Sequence, residues 1–506
     1  MGNEFKRVGV VGAGAMGRGI AQMVAQAGSQ VVLFDVSTQA SSAAHAAVTA
    51  QWERMAGKGK CTTEQHSTWV AALHTAQELT ELGSCDLIIE AIVERLEVKR
   101  DLFAQLERLV SDTTVLATNT SSLSVTAIAA GLVRPERLAG YHFFNPVPLM
   151  RVVEVIAGLK TAPHVCAQLD GLTHAMGHTP VRAQDTPGFI VNHAGRAYGT
   201  EALRIVGESV ADFATIDRIL RDQAGFRLGP FELMDLTALD VSHPVMESVY
   251  NQYYQEPRYR PSVITAQRLA GGIIGKKAGE GFYQYIDGQV QAPAEAPLPV
   301  VEHMPSVWVS PKAARRQELY QLLKELGASI ETSAEPSARA LILVAPLGMD
   351  VTTIAAVERL DASRVMGIDL LLPDEATKRR VLATNPATRA DMRDAAHALF
   401  ARDGKAVSVI KDSGGFVTQR VLAAIVNIAS DMCQQGVCNP ADLDLAVTLG
   451  LGYPKGPLAW GDWLGPTNML ETLFNLQTVY GDPRYRPSPW LRRRGALGLS
   501  LTHEEI

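Results

Sequence analysis

The sequence predicts an α/β plus all-α chain: an N-terminal domain on a parallel sheet, a helical domain, then a trimmed α/β domain and a second helical domain. Three observations predict it. Short apolar runs with polar ends alternate with helical stretches over residues 1–185, the pattern of parallel strands joined by crossover helices. From Asp185 the texture turns helical. Beyond residue 300, motifs of the first half return at a near-constant offset, which marks a duplication.

Val8–Val11 reads as a buried strand that breaks into Gly12-Ala13-Gly14-Ala15-Met16-Gly17. A helix follows to about Ala27, and a second strand, Gln30–Phe34, ends at Asp35. This is the full dinucleotide-binding context of strand, G-x-G-x-x-G, helix, strand and acidic residue, and it predicts a Rossmann domain that takes NAD. Gly12 permits the tight turn, Gly14 lets the backbone approach a pyrophosphate, and Gly17 lets helix and strand pack closely; Met16 lies in the same cofactor loop. The phosphates sit over the positive end of the helix dipole. Asp35 can accept hydrogen bonds from the adenosine ribose and would repel a 2′-phosphate, favouring NAD over NADP.

Thr38 to Leu79 reads as a helical region with a hairpin turn at Lys58-Gly59-Lys60. Cys85–Glu94 reads as a buried strand with an acidic end, and Leu96–Leu109 as the helix after it. Further strands start at Val115 and Leu138, running into A-T-N-T-S-S and H-F-F-N-P, and another spans Arg151–Ile156. Ligands of open α/β sheets bind outside the carboxyl ends of strands. Glu94, Asn119, Ser121 and His142 all fall at such ends, which predicts one cleft.

After D-T-P-G-F-I-V-N (185–192), helices are expected over Ile190–Gly207, Ala214–Ala224 and Leu228–Tyr253, closed by G-K-K-A-G-E-G-F-Y at 275–283. A Pro/Ala-rich stretch at 291–299 reads as a linker. The predicted segments are 1–185, 186–285, the linker 286–305, 306–411 and 412–506. D-T-P-G-F-I-V-N is answered by D-S-G-G-F-V-T-Q (412–419) and G-P-F-E-L-M-D (229–235) by G-P-L-A-W-G-D (456–462), both at an offset of 227. P-R-Y-R-P-S occurs at 257–262 and 483–488. Near the start of the second copy, A-G-S-Q-V (27–31) matches L-G-A-S-I (326–330) at an offset of 299, so copy two lacks about 73 residues, roughly Asp35 to Thr114.

The 506 residues, 47% of them apolar, suffice for three or four cores. A net charge of −6 without a basic block argues against a nucleic-acid partner. No stretch approaches 18 apolar residues, so no membrane span is expected. The first strand starts within ten residues of Met1, so no signal peptide is expected. Cys61, Cys85, Cys166, Cys433 and Cys438 have no metal-ligand spacing and suit a reducing cytoplasm.

G-A-G-A-M-G, A-T-N-T-S-S, G-Y-H-F-F-N-P and D-T-P-G-F-I-V-N, in that order over residues 1–285, resemble the NAD-dependent L-3-hydroxyacyl-CoA dehydrogenase family. The duplicated form resembles longer bacterial members associated with 3-hydroxybutyryl-CoA or, in phenylacetate breakdown, 3-hydroxyadipyl-CoA. No crotonase-like hydratase module is visible. The resemblance implies an acyl-CoA substrate and a catalytic pair, His142 as base or acid and Glu154 as its partner. It also implies that Ser121 and Asn192 bind the substrate hydroxyl or thioester and orient the histidine, that Asn145 lies close by, and that Glu94, Lys99 and Asn119 sit near the nicotinamide ribose. The chemistry fits, because a neutral imidazole can take the alcohol proton near pH 7 while a carboxylate on its other nitrogen fixes the tautomer.

One departure concerns CoA. Family members commonly carry lysines in the helix after the second strand, whereas no Lys or Arg lies between Asp35 and Trp52 here. Arg54, Lys58 and Lys60 are the nearest substitutes. In copy two, Ser121 becomes Leu347, His142 Asp369, Glu154 Val381 and Asn192 Gln419, and the glycine loop becomes Ser310-Pro-Lys-Ala-Ala-Arg. Copy two is therefore expected neither to bind NAD in this way nor to catalyse. Because the family dimerises through its helical domain, 412–506 is expected to pack against 186–285 as an internal pseudo-dimer; whether that unit associates further is left open. Two other readings are a non-catalytic NAD-binding protein, which the intact His142/Glu154 pair opposes, and a dehydrogenase of a 3-hydroxy acid not carried by CoA, which leaves H-F-F-N-P unexplained.

Overall fold

A computed structural model describes residues 2–505 as two compact units. The first holds the residues up to 193 together with 435–451; the second holds 194–434 and the residues from 452 onward. These units are not the five sequence segments. One helix of the second copy, Pro440–Leu451, belongs with the first sheet.

The first unit is built on an eight-stranded sheet. Its strands are β1 (Arg7–Val11), β2 (Gln30–Phe34), β3 (Leu73–Thr75), β4 (Leu87–Glu90), β5 (Val115–Thr118), β6 (Leu138–Phe143), β7 (Val152–Ala157) and β8 (Thr179–Gln184). They run in the order β3-β2-β1-β4-β5-β6-β7-β8, and only the β6/β7 pair is antiparallel. Central strands such as β4 and β5 are buried along their whole length, as expected for a sheet covered on both faces. The Ala15–Gln26 helix presses Ile20, Ala21 and Val24 onto one face, and Trp52 of the Thr38–Gly57 helix closes the same core.

Several expected boundaries shift. The region Thr38–Leu79 is two helices, Thr38–Gly57 and Thr63–Ala72, followed by β3, which pairs with β2 through Val31 and Leu73. Three residues are too few for a period, so tertiary pairing alone makes that strand. The expected strand Cys85–Glu94 is ordered as a strand only over Leu87–Glu90. Ala91 N–H still reaches Val11 O (2.8 Å), but the Ala91 carbonyl abuts the Gly12 turn and the chain bends away. Leu228–Tyr253 is two helices, Pro230–Thr237 and Leu239–Gln252, broken at Ala238, whose φ is +65°.

In the second unit, the hairpin β9 (Gln284–Ile286)/β10 (Gln289–Gln291) occupies the start of the expected linker. Further along that linker Glu295 pairs with Arg379 at 2.8 Å, so the connection is anchored rather than loose. A second sheet follows: β11 (Val307–Val309), β12 (Leu341–Val344), β13 (Val365–Ile368), β14 (Arg379–Ala383) and β15 (Ala406–Ile410), in that order. β13 and β14 are antiparallel, as β6 and β7 are. β11, the counterpart of β1, pairs directly with β12, the counterpart of β5. β2 survives as one bridge, Val307 with Ile330, matching Val8 with Val31. The missing residues therefore correspond to β3, β4 and the helices around them.

The helical parts of both copies meet in the second unit. The Arg196–Gly207 helix packs on Thr418–Gln434, which contains its own counterpart. Arg420, fully buried, pairs with Glu201 (2.8 Å) and Glu208 (2.7 Å) and donates to the hydroxyls of Tyr480 and Tyr485. The two P-R-Y-R-P-S segments touch: Arg258 reaches Asp431 (2.7 Å) and Arg486 O, while Arg484 reaches Glu201 (3.4 Å) and Pro257 O. Lys411, just past the edge strand β15, donates its N–H to Val210 O (3.0 Å), and Gln184 at the end of β8 in the first unit donates to Val437 O (2.8 Å), the same contact with the copies exchanged.

Candidate active site

The glycine loop between β1 and the Ala15–Gln26 helix is shaped by clearance. Gly12 has φ +104°, and a Cβ there would lie 2.4 Å from Ala91 O. At Gly17 a Cβ would lie 1.8 Å from Gly12 O, so only glycine lets the helix start this close to the strand. Gly14 is exposed, with no atom within 4 Å of its Cβ position. That open backbone above a helix N-terminus is a fit for a dinucleotide pyrophosphate. Asp35, half-buried, accepts from Ala13 N (2.8 Å) and Ser37 N (2.9 Å), and so ties the loop while retaining acceptor capacity for a ribose. Met16 packs inward against the core.

At the end of β4, the buried Glu90 is a residue sequence reasoning passed over. It accepts from Lys99 Nζ (2.6 Å), Ile92 N (2.8 Å) and Thr118 Oγ1 (2.6 Å). Lys99 is fully buried and also pairs with Glu94 at 3.2 Å. Glu94 lies in the loop after the strand, accepting from Thr120 Oγ1 (2.7 Å), Ser121 N (2.8 Å) and Ser122 N (3.1 Å). Burial would raise its carboxyl, but Lys99 and these donors outweigh burial and hold it below the usual carboxylate range. Lys99 thus acts on the site through Glu94. The signal in the sequence was a carboxylate ending the apolar run Leu87-Ile88-Ile89, nine residues before a lysine.

The strands that follow bring the predicted pair together. His142 and Glu154 are direct cross-strand partners on β6 and β7, with Nδ1 and Oε2 2.6 Å apart. His142 is 5% exposed and Glu154 is fully buried. Oε1 of Glu154 accepts the amides of Ile190 (2.9 Å) and Val191 (2.8 Å), at the turn where Phe189 takes φ +47°. With donors on Oε1, the network assigns the proton of the imidazole to Nδ1 and leaves a lone pair on Nε2. Nε2 makes no hydrogen bond among the described residues, and Phe144 (4.5 Å) and Phe189 (5.9 Å) flank the ring.

Asn119 links β5 to β6 by accepting Phe143 N–H (2.9 Å), and Asn192 Nδ2 donates to Ser121 O (3.4 Å). Ser121 and Asn192 are therefore adjacent. Asn145 is exposed and makes no hydrogen bond among the described residues, so it is not joined to the pair. Asp185, also passed over, clamps the Val125–Ala129 helix through Ser124 Oγ (2.7 Å), Val125 N (2.9 Å) and Thr126 N (2.7 Å). Asp412 does the same for Val351 and Thr352 in copy two. Arg54, Lys58 and Lys60 are exposed, and Arg54 is bonded to Gln51.

At the corresponding place in copy two, Asp369 is buried. Oδ1 accepts from Gln419 Nε2 (2.9 Å) and Leu371 N (3.0 Å), and Oδ2 has no partner. Burial pushes its carboxyl up to about 6, against the pull of Gln419, the Leu371 amide and the Gln223 side chain.

Comparison with known proteins bears on the family. The description of the 3-hydroxyacyl-CoA dehydrogenase NAD binding domain matches residues 7–186, and that of the C-terminal domain matches twice, at 188–285 and 415–501. The chain is 40% identical to a 3-hydroxyadipyl-CoA dehydrogenase of Escherichia coli (strain K12), over 98% of both chains. It is 39% identical to a probable 3-hydroxybutyryl-CoA dehydrogenase of Bacillus subtilis (strain 168), over 56% of this chain and 98% of that one. A crystal structure of 3-hydroxybutyryl-CoA dehydrogenase from Escherichia coli K12 superposes with a TM-score of 0.84 at 38% identity, covering 98% of this chain and 99% of the other.

Proposed function

The chain belongs to the 3-hydroxyacyl-CoA dehydrogenase family, and on that premise we propose that it interconverts (S)-3-hydroxyacyl-CoA and 3-oxoacyl-CoA with NAD as the redox partner. NAD+ supplies the hydride acceptor for the substrate C3–H. The residues that would hold it are Gly12, Gly14 and Gly17 at the pyrophosphate, Asp35 at the adenosine ribose, and Glu94 and Asn119 beside the nicotinamide ribose. His142 Nε2 takes the hydroxyl proton as the C3–O bond becomes a carbonyl, and returns it in the reverse direction. Glu154, held by two amides, stabilises the imidazolium so formed. Asn192 and Ser121 orient the substrate oxygen.

The observation that carries this reading is the 2.6 Å His142–Glu154 contact, its carboxylate clamped by Ile190 and Val191 N–H. Absorbance at 340 nm with acetoacetyl-CoA or 3-oxoadipyl-CoA and NADH tests it. Wild type is expected to oxidise NADH and His142→Ala to lose roughly 10²-fold or more in kcat. No turnover with either thioester, or an unimpaired variant, overturns the assignment. The E. coli relative's name makes the six-carbon dicarboxylic thioester the first substrate to compare with the four-carbon one.

We further propose that the second copy serves as a built-in partner subunit, residues 412–506 packing against 186–285. The buried Arg420–Glu201 contact and the meeting of the two P-R-Y-R-P-S segments support this. Cys61, Cys85 and Cys166 are free thiols, in keeping with a reducing cytoplasm, and no helix among the described residues is long and apolar enough to cross a membrane.

A further inference from the structure

In the first unit, the Pro440–Leu451 helix of copy two lies against β7 and β8. Asp442 Oδ2 accepts Arg182 N–H on the edge strand β8 (3.0 Å). At the far end of the helix, Gly450 faces the catalytic pair from behind. A Cβ built there would lie 3.0 and 3.3 Å from the two methyls of Val191 and 3.5 Å from Cγ1 of Val152. One of these neighbours holds Glu154 directly and the other shares its strand. Val152 precedes it by two residues on β7, on the same face of the strand, and Val191 N–H is one of the two donors to its Oε1.

The counterpart position supplies a contrast. Offset by 227 residues, Gly450 corresponds to Gln223 and Val191 to Thr418, which are hydrogen-bonded to each other behind the altered Asp369 site. Gln223 is 4% exposed, so the equivalent place readily holds a large side chain. Glycine stands only where the intact His–Glu pair lies beyond it, and a helical glycine carries a cost of its own.

Resting on the dehydrogenase reading above, we propose that Gly450 is a positioning residue: the second copy sets Val191 N–H, and through it the Glu154 carboxylate, in register with His142. The helix touches neither substrate nor cofactor. Its effect passes through packing, where a side chain at 450 displaces Val191 by tenths of an ångström or more and loosens the hold on Oε1.

The test uses the full chain with Gly450→Ala, Gly450→Leu and the double variant Gly450→Leu/Val191→Ala. Misplacing a supporting group by about 1 Å costs on the order of 10²-fold, so kcat is expected to fall roughly 3-fold for Ala and 30-fold or more for Leu. KM for NADH is expected to stay within about twofold of wild type, because the glycine loop is untouched. Hydrogen–deuterium exchange of a peptide spanning 188–193 should rise in the Leu variant. Both exchange and kcat should recover in the double variant, where Val191→Ala removes the clash. Wild-type exchange and kcat in Gly450→Leu overturn the proposal, as does a loss that the double variant does not reverse or one shared equally by NADH binding. If Leu prevents folding, the Ala variant and its Val191→Ala double decide. Should wild type reduce neither thioester, the dehydrogenase reading fails, while the exchange measurement still decides the role of Gly450.

Discussion

Glu154 accepts from three groups, the imidazole on one oxygen and two amides on the other. Glutamine is nearly isosteric, yet its NH2 must then face either Nδ1–H or the amide pair, donor against donor. Glu154→Gln is expected to lower kcat by roughly 10²–10⁴-fold with little change in NADH affinity, read from 340 nm kinetics and NADH fluorescence titration. The His142–Glu154 pair was expected because the family resemblance implies it, and two strand-like runs twelve residues apart allow it. The two amides were not, because they come from a turn 36 residues further on whose approach depends on the tertiary fold. Asp369 is the residue-scale relic. Its folded-state carboxyl is raised from 3.8 to about 6, so its contribution to stability is greatest below about 4 and is lost as the pH rises through 6. At pH 8 a buried anion remains whose neighbours do not offset its burial. Asp369→Asn is therefore expected to raise the melting temperature at pH 8, by an amount on the order of 2 kcal/mol in stability, and to do little at pH 4. Thermal unfolding at the two pH values reads the difference, and an equal effect at both would contradict it.

At the scale of elements, the repeat carries over to the second sheet with a single-residue change of offset between β12 (341 − 115 = 226) and β13 (365 − 138 = 227). β3 and β8 were missed for physical reasons. β3 has three residues, and β8 reads Thr-Pro-Val-Arg-Ala-Gln, an edge with only Val181 and Ala183 buried. Such edges expose unpaired backbone groups. Here Asp442 and Val437 O cover Arg182 N–H and Gln184 N–H on β8, and Val210 O covers Lys411 N–H beyond β15. The contact between the Arg196–Gly207 and Thr418–Gln434 helices is organised by a buried arginine. Arg420→Ala would leave Glu201 buried and Glu208 half-satisfied. Removing one partner of a buried pair costs about 3–5 kcal/mol, so the variant should unfold at a markedly lower temperature in calorimetry. Arg484 keeps part of the charge balance at Glu201, which argues for the lower end of that range.

At the scale of the whole molecule, the duplication was legible because short motifs kept order and spacing, and the length of the lost segment could be read from the jump in offset. The allocation of Pro440–Leu451 to the first sheet was not legible, since no local pattern says which of two similar sheets a helix will cover. A fragment of residues 1–290 would lack that helix, baring the N–H groups of β8 and the backs of Val152 and Val191. It is expected to be self-associating or poorly folded and of low activity by size-exclusion chromatography and the 340 nm assay; a stable, monomeric, fully active fragment would refute the built-in-partner reading. The connection through 292–305, pinned where Arg379 holds Glu295, has one more consequence. Two separate subunits part company on dilution, whereas halves joined by a short anchored tether meet at a local concentration that the bulk solution cannot alter. Turnover per molecule should therefore stay constant down to the most dilute enzyme that can be assayed, with no lag on mixing and no recovery on concentrating.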